Sequence, residues 1–226
     1  MKYLISFLFL ALAFSMKSEA KVTLPSILGD NMVLQQQAEV KLWGKARPNA
    51  TVTVKTSWNG QTYKFSSDGK GGWSLTVSTP VAGGPYKIIF NDGELLTLQN
   101  VLIGEVWFCS GQSNMEMPMG CFDRQPVRGA NDIIAKAKPS TPIRMYTTDS
   151  KDGRWVRQFS KTPAEDCQGE WLENTPVNVS HISAVSYYFA RYIQEVLEVP
   201  VGIVVSTWGG SRIEAWMSRE SIKPFS

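Results

Sequence analysis

The sequence has few of the residues from which proteins build metal centres. Its 226 residues include one histidine and three cysteines. It contains neither a CxxC pair nor an HExxH motif, and structural and catalytic zinc ions are held mainly by such cysteine and histidine ligands. We therefore expect no zinc site built from the protein's own side chains.

A strong net charge and a long apolar run are also missing. The formal net charge is +3, so the composition does not indicate a nucleic acid or another polyanion as partner. The apolar run at residues 4–14 is shorter than the roughly 20 residues that a bilayer requires. No later stretch is long and apolar enough either, so no membrane span is expected.

The first twenty residues have the organisation of a secretory signal peptide. Lys2 provides a positive start, residues 4–14 form an apolar core, and residues 18–20 (Ser-Glu-Ala) have the small-x-small pattern of a cleavage site. We predict cleavage after Ala20 and export to the periplasm, the medium or, in a eukaryote, a lysosome.

Export permits disulfide bonds. Cys121 and Cys167 fall in polar, loop-like segments and are candidates for a pair, although spacing alone does not decide this. Cys109 falls in an apolar strand pattern and is expected to be a buried free thiol.

Residues 21–100 have the pattern of an antiparallel β-sandwich-like module. Apolar and polar residues alternate at 40–44, 51–55, 63–65 and 73–77, with glycine, proline and asparagine clusters between them. Asn59-Gly60 predicts a two-residue type I′ hairpin turn. This part carries no recognisable chemistry and is interpreted as a packing or carbohydrate-presenting module.

Residues 101–226 have the pattern of an α/β domain. Residues 101–103 and 106–109 are apolar at successive positions, as in a strand buried on both faces. Residues 133–137 have helical spacing, residues 143–146 and 201–206 predict strands, and an apolar stripe predicts a helix over 183–198. Strands that alternate with helices are typical of a parallel sheet with right-handed crossovers.

Two polar, glycine-containing turns follow the two clearest strands, at residues 110–117 and 206–216. Ligands bind at the carboxyl ends of strands in such sheets, so the two turns predict a pocket. Ser113 falls where a helix would begin, and backbone N–H groups there could stabilise an oxyanion. The alternative is that Ser113 only caps the helix, and spacing alone favours this interpretation. The GxSxG pattern of α/β-hydrolases is not matched, because Met115 stands where that pattern has its second glycine.

Residues 108–118 (FCSGQSNMEMP) resemble the first conserved block of the sialate O-acetylesterase family, which belongs to the SGNH (GDSL-like) hydrolases. Residues 206–216 (STWGGSRIEAW) resemble its second, glycine-bearing block, and residues 24–35 and 183–190 are also similar to family segments. The resemblance covers essentially the whole chain after residue 20. It implies that residues 101–226 form the first part of a three-layer α/β/α domain.

By this resemblance Ser113 corresponds to the nucleophile. The N–H groups of Ser113 and Gly209 would form the oxyanion hole, with Gly210 as the second choice for the glycine. Four further side chains correspond to family positions near the substrate pocket: Gln112, Asn114, Glu214 and Trp216. From the residues alone, Glu214 is equally explained as an acidic first-turn residue of a helix and Trp216 as a core residue.

The resemblance also implies the substrate. The family removes O-acetyl groups from sugars, typically from 9-O-acetylated sialic acid, and relatives act on acetylxylan. It implies no metal or organic cofactor and leaves the oligomeric state open. Alternatives are a non-catalytic secreted sugar-binding protein and, ranked lower, a lipid or thioester hydrolase of the same superfamily.

The sequence departs from the family pattern in its catalytic base. The family takes this base from a histidine in a later DxxH block, and neither that block nor the Asn-bearing block is present. We expect a truncated form that is a poor catalyst by itself. The single histidine, His181, is interpreted as a surface residue, and Asp123, Asp132 and Asp149 are only weak candidates for the carboxylate partner.

Overall fold

A computed structural model describes residues 22–151, 154–155, 162 and 164–225 of the protein. The predicted signal peptide at residues 1–20 lies outside the described residues. Among the residues that are described, no helix combines the length and apolar character needed to cross a bilayer.

Strands fill the first half of the chain, and strands alternate with helices in the second half. The strands are β1 (Val33–Gln35), β2 (Glu39–Lys45), β3 (Thr51–Thr56), β4 (Thr62–Ser66), β5 (Gly72–Ser78), β6 (Gly83–Asn91), β7 (Leu95–Gly111), β8 (Ile143–Thr147), β9 (Ser150–Lys151), β10 (Arg154–Trp155), β11 (Trp171–Glu173) and β12 (Val201–Thr207). The α-helices are α1 (Ser113–Glu116), α2 (Ala130–Lys136), α3 (Pro176–His181), α4 (Ala184–Leu197) and α5 (Arg219–Ile222), with 3₁₀ helices at Ile213–Trp216 and Lys223–Phe225.

One long strand, β7, joins the two halves of the fold. The largest sheet has the order β11-β8-β12-β7-β6-β3-β4, with β1 also paired to β7. The first part of β7 runs antiparallel to β6, whereas its last part runs parallel to β12, which is itself parallel to β8. The predicted α/β fold class is confirmed.

The first half is built from two packed layers of antiparallel strands. The β2–β5 pair forms one layer, and β3, β4 and β6 belong to the other. The Trp73 ring lies 5.1 Å from the Phe65 ring and 5.8 Å from the Phe90 ring, centroid to centroid. The alternating strands position valines inward, as the sequence pattern predicts, and Val52, Val54 and Val77 are fully buried.

The division at residues 100 and 101 remains a prediction, and it falls inside a single strand. β7 is 17 residues long and passes through that position without interruption. Val101, Leu102 and Ile103 are buried there. β7 therefore belongs both to the antiparallel strands of the first half and to the parallel strands of the second half.

The predicted hairpin turn differs from the structure. β3 and β4 pair antiparallel, but residues 57–61 connect them rather than two residues. Of Asn59 and Gly60, only Gly60 has positive φ, at 67°, whereas a type I′ turn needs positive φ at both positions. The Asn59 carboxamide oxygen instead accepts hydrogen bonds from the Thr56 hydroxyl, at 2.6 Å, and the Gln61 N–H, at 3.0 Å.

The prediction that residues 106–109 are buried on both faces is also wrong. Trp107 is 41% exposed and Phe108 is 67% exposed. The reason is the pairing of β7. Pairing of β7 with β6 ends at Ile103, and pairing with β1 ends at Gly104. Among the described strands, β12 alone pairs with β7 as far as Gly111, so the other edge of β7 has no neighbouring strand there.

The predicted helix over 183–198 is confirmed as α4, but its apolar stripe faces outward. Ala184, Tyr187 and Ala190 are its buried apolar residues. Five of the six stripe residues are exposed, all except Ile193: Val185, Tyr188, Phe189, Tyr192 and Val196. The Phe189 ring meets the Trp107 ring edge-on, with centroids 5.0 Å apart, so the stripe extends to the uncovered end of β7.

We expect this exposed stripe to promote self-association, because contiguous apolar surface is a contact site in water. Replacing Tyr192 and Val196 by lysine should lower the sedimentation coefficient at high protein concentration while changing the free energy of unfolding by less than about 0.5 kcal/mol per site. Val81, which is 63% exposed away from α4, provides the control Val81→Lys. Equal sedimentation coefficients for the wild-type protein, the Tyr192 and Val196 lysine variant and Val81→Lys would contradict the prediction.

Candidate active site

Strand pairing brings the two glycine-containing turns together. β7 and β12 are parallel neighbours in register, with Ser206 opposite Ser110 and Thr207 opposite Gly111. Their carboxyl ends therefore lie at the same edge of the sheet, where ligands bind in open α/β sheets. The predicted juxtaposition of the two turns is present in the structure.

Three hydrogen bonds link the first turn to the second. The Trp208 N–H donates to the Gly111 carbonyl oxygen at 3.0 Å. The Gln112 side-chain nitrogen donates to the Ser211 carbonyl oxygen. The Gly209 N–H donates to the Glu116 carboxylate oxygen Oε2. These contacts hold the second turn against the first over most of its length.

Ser113 is the exposed first residue of α1. The interpretation as a capping serine is wrong, because Gln112 occupies the N-cap position and no side chain caps this helix. α1 contains only 4 residues, so few aligned peptide dipoles can add at its start. Any stabilisation of an anion here must come from individual N–H groups rather than from a helix dipole.

Gly209 lies directly against Ser113. A Cβ atom at position 209 would stand 3.5 Å from the Ser113 Cβ and 3.1 Å from Glu116 Oε2. The second turn therefore packs against Ser113 at van der Waals distance, and the Glu116 carboxylate is the nearest neighbour of position 209. Gly210 has a φ of 74°, a left-handed conformation that glycine adopts at little cost.

Residues at the start of α4 bind α1 and the residue that follows it. The hydroxyls of Ser186 and Ser183 donate to the Met115 sulfur at 3.3 and 3.6 Å. The Ala184 N–H donates to the Met117 carbonyl oxygen at 2.7 Å. Met115, which breaks the GxSxG pattern, is therefore the residue that anchors the serine turn to α4.

A cleft of about 660 Å³ opens beside Gly209, within the usual range of about 300–1,000 Å³ for small-molecule sites. Its lining includes Asp149, Arg212, Glu214 and Trp216. The Trp216 indole N–H donates to the Ser211 hydroxyl at 2.9 Å, which orients the ring. Trp216 is thus half-buried at the cleft wall.

Glu214 is exposed and lies in the 3₁₀ helix Ile213–Trp216. Gln112 and Asn114 are exposed beside Ser113 and do not line this cleft. The roles that the resemblance implies for these pocket residues remain predictions.

The candidate base and carboxylates are distributed over the surface. Within the part of the chain that the structure describes, no hydrogen bond links His181, the last residue of α3, to Ser113. Asp123 is exposed and lies 3.8 Å from Arg124, and Asp132 lies in α2 beside a cavity that Tyr187 also lines. Only Asp149 shares a cleft with Gly209.

Sequence reasoning missed the contact between Glu116 and Gly209. The available signal was spacing, because Glu116 lies three residues after Ser113 and such pairs share one side of a helical turn. The partner Gly209 lies 93 positions further along the chain, and only the pairing of β7 with β12 brings it near.

All three cysteines are free. Cys121, which is exposed, and Cys167 are both free, so the candidate pair of these two residues is not formed in the structure. Cys167 lies 3.4 Å from the Tyr146 hydroxyl, and Cys109 is partly buried rather than fully buried. Burial raises the pKa of the Cys109 thiol above its ordinary value, and its hydrogen bond with Ser186 partly offsets this.

We expect the thiols to react in a defined order. Because a raised pKa lowers the thiolate fraction at a given pH, Cys109 should react with a disulfide reagent at pH 8 more slowly than exposed Cys121. Its rate should continue to rise above pH 9. Cys121→Ser should remove the fast phase, and a fast phase that persists in this variant would contradict the assignment. Only one reactive thiol before reduction would indicate a disulfide instead.

The chain is similar in sequence and in fold to known esterases. No family model matches the chain. The human and Pongo abelii proteins named sialate O-acetylesterase are each 30% identical over 216 residues, which covers 88% of this chain and 39% of each relative. A solved carbohydrate acetylesterase from Xanthomonas citri superposes with a TM-score of 0.80 at 34% identity, covering 90% of this chain and 44% of that one.

The chain is similar to proteins named sialate O-acetylesterase. Agreement of sequence and of fold over about nine tenths of the chain supports this. It spans about two fifths of the length of the relatives that it matches. The homologues are named as esterases, which makes a serine hydrolase site the interpretation to test.

Proposed function

We propose that the protein is a carbohydrate O-acetylesterase in which Ser113 is the nucleophile. The observation that carries this proposal is the close approach of the Gly209 backbone to Ser113, 3.5 Å from a Cβ at position 209 to the Ser113 Cβ. This places a backbone donor beside a solvent-accessible hydroxyl. The names of the relatives supply the substrate class, acetylated sugars.

The proposed reaction is acyl transfer in two steps. The Ser113 Oγ attacks the acetyl carbonyl carbon, and the N–H groups of Ser113 and Gly209 donate to the oxygen that becomes negative. Collapse of this intermediate breaks the ester bond and releases the sugar hydroxyl, leaving an acetylated serine. Water then attacks that ester and releases acetate.

The hydroxyl proton of Ser113 needs a base, and no described residue makes that contact. Loss of triad members in serine hydrolases costs several orders of magnitude in rate. We therefore propose that the 226-residue chain by itself turns over esters slowly. A Ser113-dependent rate on p-nitrophenyl acetate equal to that of a full-length relative would contradict this.

Covalent labelling tests the nucleophile directly. A fluorophosphonate in excess should modify the protein at Ser113, identified by peptide mass spectrometry, and Ser113→Ala should abolish the modification. Ser110→Ala is the matched control, because Ser110 lies on the same turn and should leave labelling intact. Equal labelling of the wild-type protein and Ser113→Ala would contradict the assignment.

The cleft beside Gly209 is the proposed seat of the sugar ring. Aromatic side chains bind the apolar faces of pyranoses, and the Trp216 indole is held in place by Ser211 at 2.9 Å. Asp149, Arg212 and Glu214 add polar groups around the same space. A combination of an aromatic surface and a few polar groups is typical of small-molecule sites.

Trp216→Ala should therefore weaken binding of an acetylated sugar, by about tenfold or more, because loss of a buried aromatic contact costs about 1–3 kcal/mol. Labelling of Ser113 by a small fluorophosphonate should change much less. Trp216→Phe, which keeps the aromatic face, should recover most of the sugar affinity in calorimetry. Equal losses in both variants would show that the ring face does not bind sugar.

We also propose that the protein is exported and that cleavage follows Ala20. Mass spectrometry of protein recovered from the periplasm or the medium should find Lys21 at the N-terminus. An intact Met1 on exported protein would contradict this proposal.

A further inference from the structure

The Glu116 carboxylate contacts the Gly209 N–H, the group that the proposed function assigns as a hydrogen-bond donor to the oxyanion. Its Oε2 atom accepts the Gly209 N–H. A Cβ at position 209 would be 3.1 Å from this oxygen and 3.5 Å from the Ser113 Cβ. The carboxylate and the serine therefore approach the same peptide group.

A carboxylate oxygen and the oxygen of a tetrahedral intermediate are both negatively charged acceptors. Hydrogen bonds from a backbone N–H to such an acceptor are stronger than those between neutral groups. One N–H cannot serve both acceptors at full strength, so Glu116 and the reacting acyl group compete for Gly209. A negative charge so close also disfavours a second negative charge on the acyl oxygen.

Glu116 is not needed to hold the two turns together. The Trp208 N–H bond to the Gly111 carbonyl, at 3.0 Å, and the bond from Gln112 to the Ser211 carbonyl join them independently. Met115 anchors α1 to α4 through Ser183 and Ser186. Two other hydrogen bonds should therefore keep the turns in contact when Glu116 is changed.

We propose that Glu116 is a positioning residue that occupies the Gly209 N–H in the resting site and must release it when the acyl group reacts at Ser113. In the resting protein the carboxylate orients this peptide group and keeps its donor from water. Its negative charge lowers the reactivity of Ser113 toward reagents that develop an oxyanion. This role rests on the proposed function, since the competing oxyanion is that of acyl transfer at Ser113.

The first test concerns the contact itself and requires no catalysis. In ¹⁵N-labelled protein, the Gly209 amide proton should resonate downfield and exchange slowly with water. Glu116→Ala should speed this exchange by about tenfold or more, as expected for loss of a charge-assisted hydrogen bond. Glu116→Gln, which retains an acceptor oxygen, should keep partial protection. An exchange rate that is unchanged in Glu116→Ala would overturn the proposal.

The second test concerns the competition and uses the fluorophosphonate probe. Glu116→Gln removes the charge and should raise the second-order rate constant for Ser113 labelling by about three- to thirtyfold, because the negative charge beside the Gly209 N–H then no longer opposes the charge that develops on the reacting oxygen. Glu220→Gln, on the exposed helix α5, is the matched control and should react at the wild-type rate.

The outcomes separate the two proposals. Labelling at Ser113 with an equal or lower rate in Glu116→Gln overturns the competition and leaves the proposed function standing. Labelling of Ser113→Ala at the wild-type rate overturns the proposed function, and the role of Glu116 falls with it. A higher rate in Glu116→Gln together with faster Gly209 exchange in Glu116→Ala supports both.

Discussion

The parallel pairing of β7 with β12 is the constraint on which the rest of the site depends. It aligns Thr207 with Gly111, so the turns that follow these strands meet at one edge of the sheet. Backbone hydrogen bonding sets this register, and a shift of one residue would reverse the side-chain directions along the strand. The contact between Ser113 and Gly209 follows from that register.

The site is stabilised chiefly by backbone groups and by side chains that contact backbone. Glu116 and Gln112 both bind main-chain atoms of the second turn, and Met115 connects α1 to the start of α4. A donor held in this way needs little reorganisation when charge develops, which is the physical basis of oxyanion stabilisation. The same arrangement explains why an internal carboxylate can occupy the donor in the resting protein.

The apolar surface near β7 has a different physical origin. Beyond Gly104, β7 has one described neighbour, β12, and Phe108 and the outward stripe of α4 remain exposed beside it. Periodicity predicted the helix correctly because the 3.6-residue repeat of an α-helix determines which side chains share one face. It could not identify the buried face, because Ala184, Tyr187 and Ala190 pack inward while most residues of the predicted stripe point outward.

The sequence by itself determined the longest helix, most of the longer strands and the α/β class, because local patterns contain that information, and the role of Ser113 that the block at residues 108–118 implies remains a prediction. It left open the capping role of Ser113 and the state of Cys121, and it missed the Asn59 turn and the link between Glu116 and Gly209. Only the tertiary structure decided these points. The atoms involved lie far apart along the chain, and strand register and packing, which no local pattern encodes, bring them within hydrogen-bonding distance.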